Sequence, residues 1–422
     1  MKIPPELADN VIDELCDDKL ALLTSAVVCK GWLSRSRFHL FHTITLMCTA
    51  EDFNAPNFLE FLDHSPHLAV YVRILSLQAQ HRPRSHLVWF PPHSPIPQHF
   101  MPLQLLSSLV NRFPHLSGLE MHGIYWSPAH DPHEVTEEKI DDLHLTAPAC
   151  PSIRTLTIST VRTVQRIPGF HSIFHLFPNL NTVSIEHSLM HIMFPAPEEA
   201  THFPPDVRLD KLTIVGDTPI IPMNKIVPPS AVAQLRELHC PPDYLLHPIV
   251  NDAKDGLQTA SLDIDIHYDF SLSCCARLHT LRVWSSTRVS NGRNYGIVVP
   301  RVLFKSPPTL KRITLILPSG PTFTAEHVSF WDWNHINSML ERFPELELLE
   351  VLYTVSSRVS REQVLAGDYE EVSDAGIAFR SIRQRLRIPF MNLVTFGLLH
   401  GETCIDMSIP WRGITDLDCT VE

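Results

Sequence analysis

A six-residue pattern, apolar-x-x-apolar-x-apolar, returns along this 422-residue chain and restricts its fold more than any other feature. Clear copies start at Leu116 (LSGLEM), Ile153 (IRTLTI), Leu180 (LNTVSI), Leu209 (LDKLTI), Leu235 (LRELHC), Leu278 (LHTLRV), Leu310 (LKRITL), Leu346 (LELLEV) and Leu393 (LVTFGL). Weaker copies start at Phe41 (FHTITL), Val72 (VRILSL) and Leu257 (LQTASL). The fourth and sixth positions have the period of two that puts alternate side chains on one face of a strand. A strand this short cannot bury its apolar side alone, so each copy has to be covered by its neighbours in a stacked parallel array.

The residues before each copy say how the array is punctuated. Phe113-Pro114, Cys150-Pro151, Phe177-Pro178 and Phe343-Pro344 each stand two or three residues ahead of a copy. Proline cannot continue a helix and biases the preceding residue toward extended backbone, so these pairs end one element and start the next. The chain has 36 Pro and only 14 Gly, the reverse of average usage of about 5% and 7%. Residues 103–113 (LQLLSSLVNRF) and 335–343 (HINSMLERF) carry apolar residues on one helical face just ahead of a Pro turn. The expected unit is therefore helix, Pro turn, strand.

That unit resembles the leucine-rich repeat. The resemblance implies an α/β solenoid with parallel strands and helices on the convex side. Clear copies start 26 to 47 residues apart, and the 43-residue gap after Leu235 is split by the copy at Leu257. The ladder asparagine of the family is missing; Ile124, Val161, Ser188, Asp217, Asp243, Ser286, Pro318, Thr354 and Gly401 stand in its place. An irregular array over residues 46–422 is the expectation.

In such an array the side chains between the buried positions point outward. Glu120, His122, Thr157, Glu186, Lys211, Glu237, His239, Arg282, Trp284, Arg312 and Glu350 then line one face, the candidate surface for a target protein. Trp284 beside Arg282 is its strongest feature, because Trp and Arg dominate binding hot spots.

Residues 1–45 follow a different rule. In IPPELADNVIDEL, residues 3–15, Pro4 and Pro5 suit a helix start, Glu6 faces the positive dipole end, and Leu7, Val11, Ile12 and Leu15 recur at helical spacing. Asp18 can cap a second helix carrying Leu22, Leu23, Ala26, Val27 and Cys29, which Gly31 weakens; a short turn over Trp32–Phe38 follows. Below about 40 residues a unit rarely stabilises itself, so its surplus apolar side chains need cover.

The pattern P-x-E-L, then the Leu-rich helix ending V-C-x-x-W, resembles an F-box in the fungal style, over residues 3–41. Ala8 and Gly31 depart from the family pattern. The resemblance implies docking onto the Skp adaptor of a Skp–cullin–F-box ubiquitin ligase. On it, Ile3, Pro4, Leu7, Val11, Ile12, Leu15, Leu22, Leu23, Val28 and Trp32 are the expected adaptor contacts. The alternative is a repeat scaffold whose first helices only cap the array.

Charge and motif content narrow the function class. A net charge of -12, from 34 Lys+Arg against 46 Asp+Glu, opposes attraction to nucleic acid or anionic lipid. No apolar run has the ~18 residues of a membrane span. Glu6, Asp9, Asp13 and Glu14 interrupt any leader-like apolar core. Nine scattered cysteines without C-x-x-C fit reduced thiols in the cytosol or nucleus. His187 and His191 lack the partners of a zinc site, and no phosphate-binding loop or nucleophile elbow occurs. The expectation is a non-enzymatic protein without metal or cofactor, with GDYEEVSD (residues 367–374) as a solvated loop before a helix over residues 375–387. A hydrolase concealed in the α/β body is a third reading, and it requires a pocket of converging titratable groups.

Overall fold

The computed structural model describes residues 4–48, 55–79, 99–127, 148–159, 172–186, 206–215, 227–240, 247–263, 271–284, 292–317, 328, 331–355, 370–391, 393–400 and 403–406. It separates into two compact units, one chiefly Met1–Leu209 and the other chiefly Asp210–Thr218 with Val232–Glu422.

The first unit begins with α1 (Pro5–Asp13), α2 (Lys19–Val28) and α3 (Lys30–His42). The Asp18 carboxylate caps α2 by accepting the Ala21 N–H at 2.9 Å, as its position in the sequence predicts. The expected short turn after α2 is corrected to a 13-residue helix. The break falls at Cys29, whose extended backbone (φ -160°, ψ 164°) ends α2 and opens α3. Gly31 therefore sits in the first turn of α3, where a helix is least sensitive to glycine, and does not weaken α2.

The Asp13 carboxylate ties α1 to α3. It accepts from Arg35 Nε at 2.5 Å and Nη2 at 2.6 Å, and lies 2.7 Å from His39 Nε2. The Arg35 hydrogen bonds first, and the His39 contact second, hold the Asp13 carboxyl down at about 2 from an ordinary 3.8. A carboxyl lowered by folding stabilises the fold above its ordinary value, and the contribution disappears as pH falls through the folded value. Asp13→Asn is thus expected to destabilise the protein at neutral pH, with the difference shrinking as pH drops from about 4 toward about 2. Urea midpoints for the two proteins along that pH series measure it.

α3 runs without a break into β1 (Thr43–Cys48). The Arg73 N–H donates to the His42 carbonyl at 2.9 Å, and its guanidinium lies 5.9 Å from the Phe38 ring centre. The three helices are joined to the first strands directly, at a point inside the expected 1–45 segment.

All twelve copies of the six-residue pattern are strands. The first unit stacks β1, β2 (Ile74–Ala79), β4 (Gly118–His122), β6 (Thr155–Ser159) and β7 (Thr182–Glu186) in parallel. A separate parallel pair, β3 (His99–Pro102) and β5 (Ile124–Ser127), lies outside that stack. The second unit stacks β8 (Lys211–Val215), β9 (Glu237–Cys240), β10 (Thr259–Asp263), β11 (Thr280–Trp284), β12 (Arg312–Leu317), β13 (Leu348–Val355) and β14 (Val394–His400) in parallel. β15 (Thr403–Asp406) closes it antiparallel to β14. The protein is α/β with a parallel, repeat-like sheet compatible with a solenoid.

Register follows the pattern residue by residue. Leu75, Leu119, Leu156 and Val183 pair across the first unit; Leu212, Leu238, Ala260, Leu281, Ile313 and Leu349 do so across the second; all are essentially inaccessible. Helices carry the other half of the core. Leu106, Leu109 and Val110 are fully buried on Leu103–Val110, and Ile336 and Leu340 nearly so on Trp333–Leu340. The Phe379 ring on Glu370–Arg385 meets Tyr353 of β13 edge-on at 6.5 Å. That helix takes in residues 370–374, so the expected acidic loop is corrected there; residues 367–369 lie outside the described residues.

The turn before several of the strands also repeats. The first apolar residue of a copy donates its N–H to the carbonyl three residues back: Leu116 to Phe113, Ile153 to Cys150, Leu180 to Phe177, Leu278 to Cys275, Leu346 to Phe343 and Leu393 to Phe390, at 3.0 to 3.4 Å. Cys150 and Cys275 thus hold the place that Phe holds elsewhere, and burial pushes both thiols up, Cys275 to about 12.

Successive copies are also joined by main-chain hydrogen bonds where each strand begins. The carbonyl of the second residue of a copy accepts two successive N–H groups from the next copy. Ser117 takes those of Arg154 and Thr155, Arg154 those of Asn181 and Thr182, Arg236 those of Gln258 and Thr259, and His279 those of Lys311 and Arg312. The expected irregularity is confined to what lies between strands; the strands themselves keep one register.

Candidate functional site

Two surfaces carry what chemistry the described residues offer, and the first is on the helices. Leu7 and Val11, one helical turn apart on α1, are 55% and 53% exposed, whereas Ala8 and Ile12 beside them are buried. On α2, Leu20, Leu23 and Val27 follow at helical spacing and are 77%, 54% and 82% exposed, with Val28 also open. Leu22 and Ser25 take the inner side of α2. Six of the eleven large exposed apolar side chains among the described residues belong to these two short helices. That concentration departs from the scattered single apolar residues of an ordinary surface.

The expected adaptor contacts therefore divide. Pro4, Leu7, Val11, Leu23 and Val28 are exposed, and Leu15 and Trp32 are half-buried. Ile12 and Leu22 are fully buried, and so are corrected from contacts to the interior of the helical unit. Ile3 lies outside the described residues. Leu20 and Val27 are absent from the expected set. Their spacing to Leu23, three back and four on, was the available signal, and it was masked by a run in which nearly every residue is apolar.

The second surface is the outward face of the strands. In the first unit Glu120 lies 3.6 Å from His122, and Thr157 pairs with Glu120 across β4 and β6. Glu186 falls in the same face on β7 by register. In the second unit Lys211 is bridged to Glu237 at 3.1 Å. His239 is half-buried; burial first, then Lys211, pushes its imidazole down to about 4, so it stays uncharged at neutral pH. Thr314 donates to Glu350 at 3.0 Å. Arg282 and Arg312 are exposed, and Trp284 is half-buried.

The two units thus separate the eleven expected outward residues into Glu120, His122, Thr157 and Glu186 on one and the other seven on the other. Residues in the same alternate strand positions that were not singled out from the sequence include Ile316, and Ser261 and Thr314, which are buried. Their neighbours in sequence gave no charge or aromatic contrast to mark them.

Among the described residues no group of three or more His, Cys, Asp or Glu is placed to hold a metal ion. His187 and His191 lie outside the described residues. No described helix is long and apolar enough to cross a membrane. No protein-family model matches the chain, and no curated protein is significantly similar to it.

Proposed function

We propose that the chain is a substrate-recognition adaptor of a Skp–cullin–F-box ubiquitin ligase, its first three helices docking on a Skp-family adaptor and its leucine-rich-repeat-like body presenting a target protein. The observation that carries the reading is the two-sided burial of α1 and α2. Ala8, Ile12 and Leu22 satisfy the helical unit itself, and Leu7, Val11, Leu20, Leu23, Val27 and Val28 are left over for another molecule. Neither part performs covalent chemistry. The gain is effective concentration, since tethering a target beside a ubiquitin-charged enzyme makes their encounter intramolecular.

Co-expression with a Skp-family adaptor tests it. Leu7→Asp combined with Val27→Asp is expected to abolish co-purification, a loss of at least about a hundredfold in affinity if each side chain contributes as an apolar hot spot does. Both positions are exposed, so the circular dichroism and melting of the isolated chain should not change. Undiminished capture by the double variant would sink the proposal.

A second reading, a repeat scaffold capped by its own helices, draws on the direct junction of α3 and β1 and on the Arg73–His42 hydrogen bond. Because of that junction, removal of residues 1–40 disturbs the first strands under either reading. Surface variants discriminate where truncation does not: in a pure scaffold, Leu7→Asp with Val27→Asp has no binding consequence.

A further inference from the structure

Cys274 and Cys275 are adjacent in the turn that leads into β11, whereas every other cysteine of the chain stands singly. Neighbouring side chains on a strand point to opposite faces. Here the turn brings the two Sγ atoms to 4.0 Å from each other. Main-chain hydrogen bonds hold the arrangement. The Cys275 N–H donates to the Leu272 carbonyl at 2.9 Å, the Ala276 N–H to the Cys274 carbonyl at 3.1 Å, and the Leu278 N–H to the Cys275 carbonyl at 3.0 Å. Cys275 is fully buried, in the place that Phe113, Phe177 and Phe343 take in other copies, and Cys274 is exposed. One sulfur is anchored in the core and the other faces solvent, so the pair has a fixed inner wall and an open side.

The gap between the sulfurs suits a bridging ion better than a direct bond. Adjacent Cα atoms are about 3.8 Å apart, below the usual ~4.4–6.8 Å span of a disulfide, so a bond between the two sulfurs would strain the turn. With metal–sulfur bonds of about 2.3 Å, sulfurs 4.0 Å apart subtend an angle of about 120° at an ion between them. That is the trigonal value, and it leaves a third position open on the Cys274 side. Asn251 Oδ1 lies 3.8 Å from Cys274 Sγ, and among the described residues no His, Asp or Glu completes a set of three with the two thiols. A donor set of two sulfurs does not meet four-coordinate zinc or the oxygen-preferring cations, and selects for softness. Burial first, then Cys274, pushes the Cys275 thiol up to about 12, so only a cation with a strong preference for thiolate displaces its proton.

We propose that Cys274 and Cys275 form a two-thiolate chelate for a soft monovalent cation, Cu(I), with an external low-molecular-weight thiol completing trigonal coordination. Binding at the two cysteines breaks two S–H bonds, forms two copper–sulfur bonds and releases two protons, and no electron is transferred. The site belongs to the second unit and uses no residue of α1 or α2, so it stands whether or not those helices dock on an adaptor.

Anaerobic titration of the full chain with Cu(I), in competition with the chelator bicinchoninate and with glutathione present, tests it. The wild type is expected to hold one ion. Cys274→Ser should lower the affinity at least about a hundredfold, because even groups that only orient a metal ligand are worth about ten- to a hundredfold. Cys274 is exposed, so the circular dichroism of that variant should match the wild type. Cys16→Ser with Cys29→Ser removes the other exposed thiols among the described residues and should leave the ion in place. X-ray absorption at the copper edge should show sulfur neighbours alone, three in number. An ion retained by Cys274→Ser, an ion lost from the Cys16 and Cys29 variant, or a wild type that yields all its copper to bicinchoninate would overturn the site.

Discussion

Gly296→Ala is expected to cost about 3 kcal/mol, and to lower the melting temperature of the protein by roughly 6 to 12 °C. Gly296 is buried within the helix Gly292–Phe304. A Cβ built there would stand 2.4 Å from Trp331 Cδ1 and 2.7 Å from Cγ, closer than side-chain carbons ever approach. Usually Gly→Ala in a helix stabilises by restricting the unfolded chain; here the indole occupies the space, so the sign reverses. Trp331 cannot simply rotate aside. It stacks on Trp333 at 5.4 Å and 22°, and the Trp333 Nε1–H donates to the Val328 carbonyl at 3.0 Å. Differential scanning calorimetry of the single variant, and of a double variant that also carries Trp331→Leu, measures the effect. The double variant should recover part of the loss that the single variant shows. Equal or higher stability of Gly296→Ala would mean that the close approach does not exist in solution.

Asn337→Ala should be of similar size, about 2–4 kcal/mol, for a different reason. Asn337 is 2% exposed. Its amide donates to the Trp333 carbonyl at 2.7 Å and the Arg385 carbonyl at 3.0 Å, and its Oδ1 accepts the Arg387 N–H at 3.0 Å. One side chain thus fastens Trp333–Leu340 to the end of Glu370–Arg385, helped by the exposed Arg387–Glu341 pair. Truncation removes three hydrogen bonds at once from a buried side chain, leaving the partly buried Arg385 carbonyl and Arg387 N–H without their partner and a void where the amide stood. The urea midpoint should fall, and exchange of the Arg387 amide hydrogen should accelerate. Asn337→Asp keeps the acceptor and loses the donors, so it should protect that amide but still destabilise the protein. Slow exchange at Arg387 in the Ala variant would show that the bracket is not what holds the helices together.

How far residues could be read in advance depended on whether their role was local. The strand copies were legible because a period of two decides which side chain is buried, whatever surrounds it. Even the weak copies at Phe41, Val72 and Leu257 became strands, since stacking between paired neighbours compensates for a poor pattern. The Asp18 cap was legible for the same reason, its partner being three residues away. What was hidden depended on contacts far along the chain. Ile12 and Leu22 look no different in sequence from Val11 and Leu23, and only packing against α3 tells the inner pair from the outer. The length of α3 was concealed by Gly31, because propensity counts less than the single backbone break at Cys29. Arg282 and Arg312 were visible as outward positions from the same period of two.

Main-chain atoms join the start of one strand to the next, so strand register does not depend on the identity of the outward side chains along the rows. The helices between copies are held more tightly, as Gly296 and Asn337 show, so the outward strand positions are where the chain can be recharged or re-shaped while its framework stays as it is. Recognition and architecture are written in different atoms of the same residues, and one can be rewritten without the other.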